Sequence, residues 1–223
     1  MPTAVLYFLP TTSADTSPLP DLINRITTHY DPFVLPRWSL RQRLFRSTPA
    51  PRTSDDNIPA TPARHLQILS LPDDHPNECF IIVTPSSGAT TDPAANVISL
   101  PAGQSTDEFT QLLVSRLGPL WQQRQLLAVV DGLAYEIGDF KIKAGELKQG
   151  VGGAQLVRGV VVEVAYLGEI GSGHDGEPTE ELIMAFWDEL NVKGAKEFRG
   201  DKRKEEDGFD NVRLWSMALL LKG

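Results

Sequence analysis

The stretch Leu126–Leu167, LLAVVDGLAYEIGDFKIKAGELKQGVGGAQLVRGVVVEVAYL, decides the fold. It divides into two strand-forming halves around a glycine-rich turn at Gly150 to Gly153. Toward the end of the first half, Phe140, Ile142 and Ala144 alternate with Asp139, Lys141 and Lys143, the period-two pattern of a strand with one buried face. The second half, VRGVVVEVAYL, is apolar on both faces and is expected deep in a sheet. Gly150, Gly152 and Gly153 supply the positive φ that a tight turn requires. The segment holds no nucleophile, no metal cluster and no catalytic pair.

Outward from it, Val5 to Leu9 reads as a strand. Ser17 and Pro18 read as the N-cap and first position of a helix, with Leu19, Leu22, Ile23, Ile26 and Tyr30 on one face until Pro32 and Pro36 end it. Phe33 to Arg46 looks extended and carries a basic patch, Arg37, Arg41, Arg43 and Arg46, whose simplest reading is solvated arginines. The proline-rich segment 48–63, TPAPRTSDDNIPATPA, is expected to be a mobile loop. HLQILSL and ECFIIVTP are two strands joined by a turn at Pro72 to Pro76, followed by a polar loop from Thr84 to Asn96 and a short strand at Val97 to Leu100. Ser105 and Glu108 have capping-box spacing, ahead of a stripe of Phe109, Leu112, Leu113, Leu117 and Leu120. A helix opening at Pro178 places Ile183, Phe186, Trp187 and Leu190 on one face. Lys196 to Asp207 is a mixed charge run expected in solvent, and Asp210 caps a last helix that is apolar around most of its circumference. Strands and helices do not alternate as in a doubly wound sheet. The order predicts an α+β fold, a largely antiparallel, barrel-like sheet flanked by helices, in a single domain over residues 1–223.

Composition narrows the function classes. A formal net charge of −8 argues against binding nucleic acid by phosphate neutralisation and favours solubility. Cys79 is the single cysteine, so no internal disulfide forms; it sits in ECFIIV as a small core hydrophobe would. The apolar VLYFL near the N-terminus lacks a basic flank and a cleavage site, and Pro10 interrupts it, so a strand is expected there instead of a signal peptide. No apolar run approaches the roughly 20 residues of a membrane span.

The constellations that carry chemistry are weak. Gly171 to Gly176 fits G-x-G-x-x-G between a strand and a helix, but Glu177, Glu180 and Glu181 would repel a pyrophosphate, and no parallel strand returns. His29, His65, His75 and His174 are scattered without ligand spacing, so no metal or cofactor is expected. A triphosphate-tunnel-like barrel enzyme acting on polyphosphate or nucleotides is the alternative reading. It rests on the sheet content, Lys141, Lys143 and the arginines near Trp38. It lacks the E-x-E-x-K strand of that class, and two lysines on such a sheet read more simply as a solvated face.

Phe140, Lys143 and Gly145 (F-x-x-K-x-G) followed by Arg158, Gly159, Val162, Glu163, Val164 and Tyr166 (R-G-x-x-V-E-V-x-Y) resemble the core of the Mediator complex subunit 20 family. The opening AVLYFLPTT, Ala4 to Thr12, is similar to that of fungal members, and so is the pairing of FWDEL (Phe186 to Leu190) with a late helix around Trp215. The resemblance implies a partly open β-barrel flanked by helices and no enzymatic activity. It implies a nuclear, non-catalytic subunit of the Mediator head module, a coactivator that forms a heterodimer with Mediator subunit 18. It further implies contact with a C-terminal helix of subunit 8 and a part in relaying regulatory signals to RNA polymerase II, with no direct nucleic-acid or membrane contact. A last helix apolar on several sides has more surface than one sheet face can hide. Partner contacts are therefore expected at Trp215 and Leu219, and at the hairpin tip formed by Leu147, Val151, Leu156 and Val157.

Overall fold

The computed structural model describes residues 3–11, 17–48, 63–85, 96–150, 156–168, 177–200 and 208–220. In chain order the elements are β1 (Ala4–Pro10), α1 (Leu19–His29), β2 (Phe33–Ser47), β3 (Arg64–Ser70), β4 (Glu78–Pro85), β5 (Asn96–Pro101), α2 (Gln104–Ser115), β6 (Trp121–Ile137), β7 (Phe140–Gln149), β8 (Leu156–Tyr166), α3 (Glu177–Glu189), β9 (Lys196–Arg199) and α4 (Asp210–Leu219). The strands form one sheet in the order β5-β4-β3-β2-β6-β7-β8-β1-β9. β1 is antiparallel to β8 and β9, β3 to β2 and β4, β5 to β4, and β7 to β8. The expected α+β arrangement, an antiparallel sheet with helices, is the one observed. Most of the segment 49–62, expected to be a loop, lies outside the described residues, as do the glycine turn beyond Gly150 and all of 171–176.

The chain divides into two compact units, Met1–Ser39 with Ala128–Gly223, and Leu40–Leu127. In the first, β8 lies between β7 and β1, which is why its valines are buried on both faces. On one face Val160, Val162 and Val164 stand opposite Leu9, Tyr7 and Val5 of β1, and Val162 and Val164 opposite Ala144 and Ile142 of β7. Leu22 and Ile26 of α1 and Ile183, Phe186, Trp187 and Leu190 of α3 close this core. The helical faces read from the sequence are thus the buried ones. Tyr7 stacks flat on Trp187 with ring centroids 3.9 Å apart, and burial, with Glu197 beside it, pushes the Tyr7 phenol well above its ordinary pKa.

In the second unit, α2 lies on β2, β3, β4 and β5, with Leu113 over Phe45, Leu66, Ile68, Cys79 and Ile81. Cys79 is a core hydrophobe as expected, its thiol pKa raised by burial. The other face holds a buried amide pair, Gln42 Nε2 donating to Gln67 Oε1 at 2.7 Å, with Gln125 Nε2 at 3.4 Å from Gln42 Oε1. Pairing of this kind is what lets polar side chains sit in a core.

Several local expectations are corrected. The first half of the central stretch is two strands, because Gly138 (φ +55°) turns β6 into β7. The capping box at Ser105 and Glu108 does not form. Gly103, at φ +84°, swings the chain directly from β5 into a helix that starts at Gln104, so Ser105 falls inside the first turn. Leu112 and Leu120 are exposed, while Leu113, Phe109 and Leu117 make the buried stripe. Pro18 is the capping position of α1, and the Ser17 hydroxyl accepts from the Leu19 N–H at 3.3 Å. The charge run opens as strand β9, paired with β1, because Phe198 alternates with Glu197 and Arg199.

Candidate partner-binding surface

The nine quoted motif residues lie on β7 and β8, side by side in the first unit. The register places Lys143 directly opposite Glu163, and Lys143 Nζ is 3.1 Å from Glu163 Oε2. Lys143 is 5% exposed and Glu163 4%, so this is an ion pair inside the sheet and corrects the expected solvated lysine face. Buried charges persist only when paired, and each of these supplies the other's counter-charge.

Gly145, two residues along on the same face, leaves room for the indole of Trp38: a Cβ there would stand 3.2 Å from the ring and closer still to Val129. Gly132 makes the same allowance from β6. The indole N–H is held between the carbonyls of Leu133 and Ala144, at 3.0 and 3.2 Å, and Trp215 of α4 packs on the ring with centroids 5.7 Å apart.

Arg158 and Gly159 form a β-bulge. Leu147 opposes Gly159 while Lys148 opposes Val157, so Arg158 has no opposite number, and its carbonyl accepts from the Thr11 N–H at 3.2 Å. A side chain at Gly159 would strike the Leu9 carbonyl and the Phe8 ring. Phe140 stacks on Phe186 at 4.5 Å and meets the edge of Tyr166 at 5.5 Å. Val162 and Val164 are core. Each motif residue is therefore placed by strand pairing or packing. The Lys143 ammonium, which the polyphosphate alternative needs for its substrate, is held by Glu163 instead.

The residues expected at a partner surface separate. Trp215, 1% exposed, and Leu219 are buried along with Val212, Leu214 and Ala218, so the apolar surplus of α4 is taken up by the chain itself. Leu147 is also buried, Val157 is half-buried and Val151 lies outside the described residues. Leu156, at the start of β8, is 60% exposed. Reading the sequence missed Ile98, which is exposed at the end of the sheet order; its signal was its place in a short strand with no charged residue. Of the basic patch, Arg37 reaches Asp131 with Nε 3.8 Å from Oδ1. Within the second unit, Arg41 and Arg46 are exposed and Arg43 half-buried. Among the described residues no group of three or more His, Cys, Asp and Glu is placed to hold a metal ion, and no helix is long and apolar enough to cross a membrane.

Comparison with known proteins follows the same residues. Residues 1–213 match the family model described as "TATA-binding related factor (TRF) of subunit 20 of Mediator complex". No curated protein sequence matches the chain. Among solved structures, the PH1819 protein from Pyrococcus horikoshii OT3 is similar at 14% identity and a TM-score of 0.43, over 94% of this chain and 98% of that one. That likeness is too loose to bear on function.

Proposed function

The chain belongs to the Mediator subunit 20 family, and on that premise we propose that it is a non-catalytic subunit of the Mediator head module, acting in the nucleus as a heterodimer with Mediator subunit 18. In this reading it also meets the C-terminal helix of subunit 8, and the pair passes regulatory signals to RNA polymerase II as part of a coactivator. The observation that carries the reading is the family match across residues 1–213, which takes in both compact units. The motif chemistry supports it. Its single acid–base couple, Lys143 and Glu163, is buried and mutually neutralised. Its remaining residues hold strands in register, as a scaffold requires. Leu156, with Val157 beside it, is the contact proposed at the β7–β8 hairpin, since an exposed aliphatic beside a strand end suits a protein partner.

Affinity purification of the tagged chain from nuclear extract, read by mass spectrometry, tests the proposal. Recovery of Mediator head subunits with subunit 18 in near-equal amount is expected. Recovery of the chain alone would refute it.

A further inference from the structure

A row of directly opposed residues crosses the second unit: Arg43 on β2, Ile68 on β3, Ile81 on β4 and Ile98 on β5. Opposed residues share a face, and here it is the face that α2 covers. Ile68 and Ile81 are buried, whereas Ile98, the last in the row, is 55% exposed. The apolar row thus runs out to a strand that has one neighbour among the described residues.

The two terminal strands of the sheet differ in kind. β9 reads KEFR, four residues of which three are charged, with the Lys196 ammonium 5.0 Å above the Phe198 ring. β5 reads NVISLP and carries no charge. A bare edge presents unpaired N–H and C=O groups that template further pairing, and short length and charge are the usual protection against it. β9 has both protections. β5 lacks the second and adds an exposed isoleucine.

We propose that β5 is a docking edge that takes an extended, uncharged segment of the heterodimer partner by strand addition, with an apolar side chain of that segment beside Ile98 on the α2 face. Main-chain hydrogen bonds to the outer side of β5 supply the affinity, and continuation of the Ile68–Ile81–Ile98 row sets the register. A charged side chain is a poor occupant of that position, since it would lose its water against an apolar row. The inference rests on the heterodimer reading above and names a surface which that reading does not.

Hydrogen exchange of the chain alone and of the chain co-expressed with Mediator subunit 18 tests it. The amides of Val97 to Leu100 are expected to slow by about tenfold or more in the complex, the change that formation of stable strand pairs produces. Ile98→Lys, at an exposed position, is expected to keep its thermal midpoint and to weaken the pair about tenfold, as loss of one apolar anchor does. A complex that forms with unchanged β5 exchange, or that holds Ile98→Lys as tightly as the parent chain, overturns the docking edge and leaves the heterodimer standing. Absence of any complex removes both. Slowing that depends on the chain's own concentration without subunit 18 assigns the edge to a second copy and also overturns the proposal.

Discussion

Lys143 and Glu163 set the chemistry of the motif, because two opposite charges are enclosed where water cannot screen them. Removing one leaves the other buried and alone, a change that costs about 3–5 kcal/mol, whereas replacing both with apolar side chains of similar volume is often close to neutral. Lys143→Met is therefore expected to lower stability in urea unfolding by about that amount, and Lys143→Met with Glu163→Leu to recover most of it. Equal destabilisation by the single and double variants would show that the pair is not coupled. His65 gives a second test. Burial first, and Arg46 next, hold its pKa below the ordinary value of 6.5. Above that value folded and unfolded chains both carry it neutral. As pH falls below 6.5 the unfolded chain takes up a proton that the folded one resists, so stability declines until the folded value is passed. His65→Asn should flatten the stability profile between about pH 7 and 5 relative to the parent chain; parallel profiles would contradict it. Neither feature could be read from the chain alone. A lysine facing water and one facing a carboxylate on the next strand have the same period-two spacing, and the strand register tells them apart.

Among the elements, β7 and β8 were the most legible, since alternation in FKIKAGEL and the valines of VRGVVVEVAYL each state how many faces are buried. Helix faces were also legible: Leu22 and Ile26 of α1, and Ile183, Phe186 and Trp187 of α3, point where their spacing says. Helix starts were not, because Gly103 began α2 with a backbone conformation before the capping box could act. α4 shows another limit. Its all-round apolarity is plain in the sequence, but what covers it depends on Trp38, which sits far away along the chain and is admitted by Gly132 and Gly145. Trp215→Ala is accordingly expected to destabilise the fold by about 3–5 kcal/mol, as loss of a buried large aromatic does. Leu156→Asp should leave the melting curve nearly unchanged and weaken partner binding. A Trp215→Ala chain as stable as its parent, or a Leu156→Asp chain that binds normally, would contradict this division between core and surface.

At the scale of the whole molecule, the family motif describes how β7 and β8 pair and pack, and the function follows from what the assembled chain presents outward. The Mediator assignment was within reach of the sequence because bulge, ion pair and glycine clearance leave a readable signature, R-G followed by V-E-V, even though none of those residues is exposed to a partner's chemistry. The partner surface was less legible, since exposure is a property of the packed chain: Trp215 and Leu156 look alike as apolar residues and differ completely in burial. Co-expression of the chain with Mediator subunit 18, followed by size-exclusion chromatography with light scattering, tests the central claim most directly. The account predicts a single species with the summed mass of one copy of each. Two separate peaks, each at its own monomer mass, would contradict it.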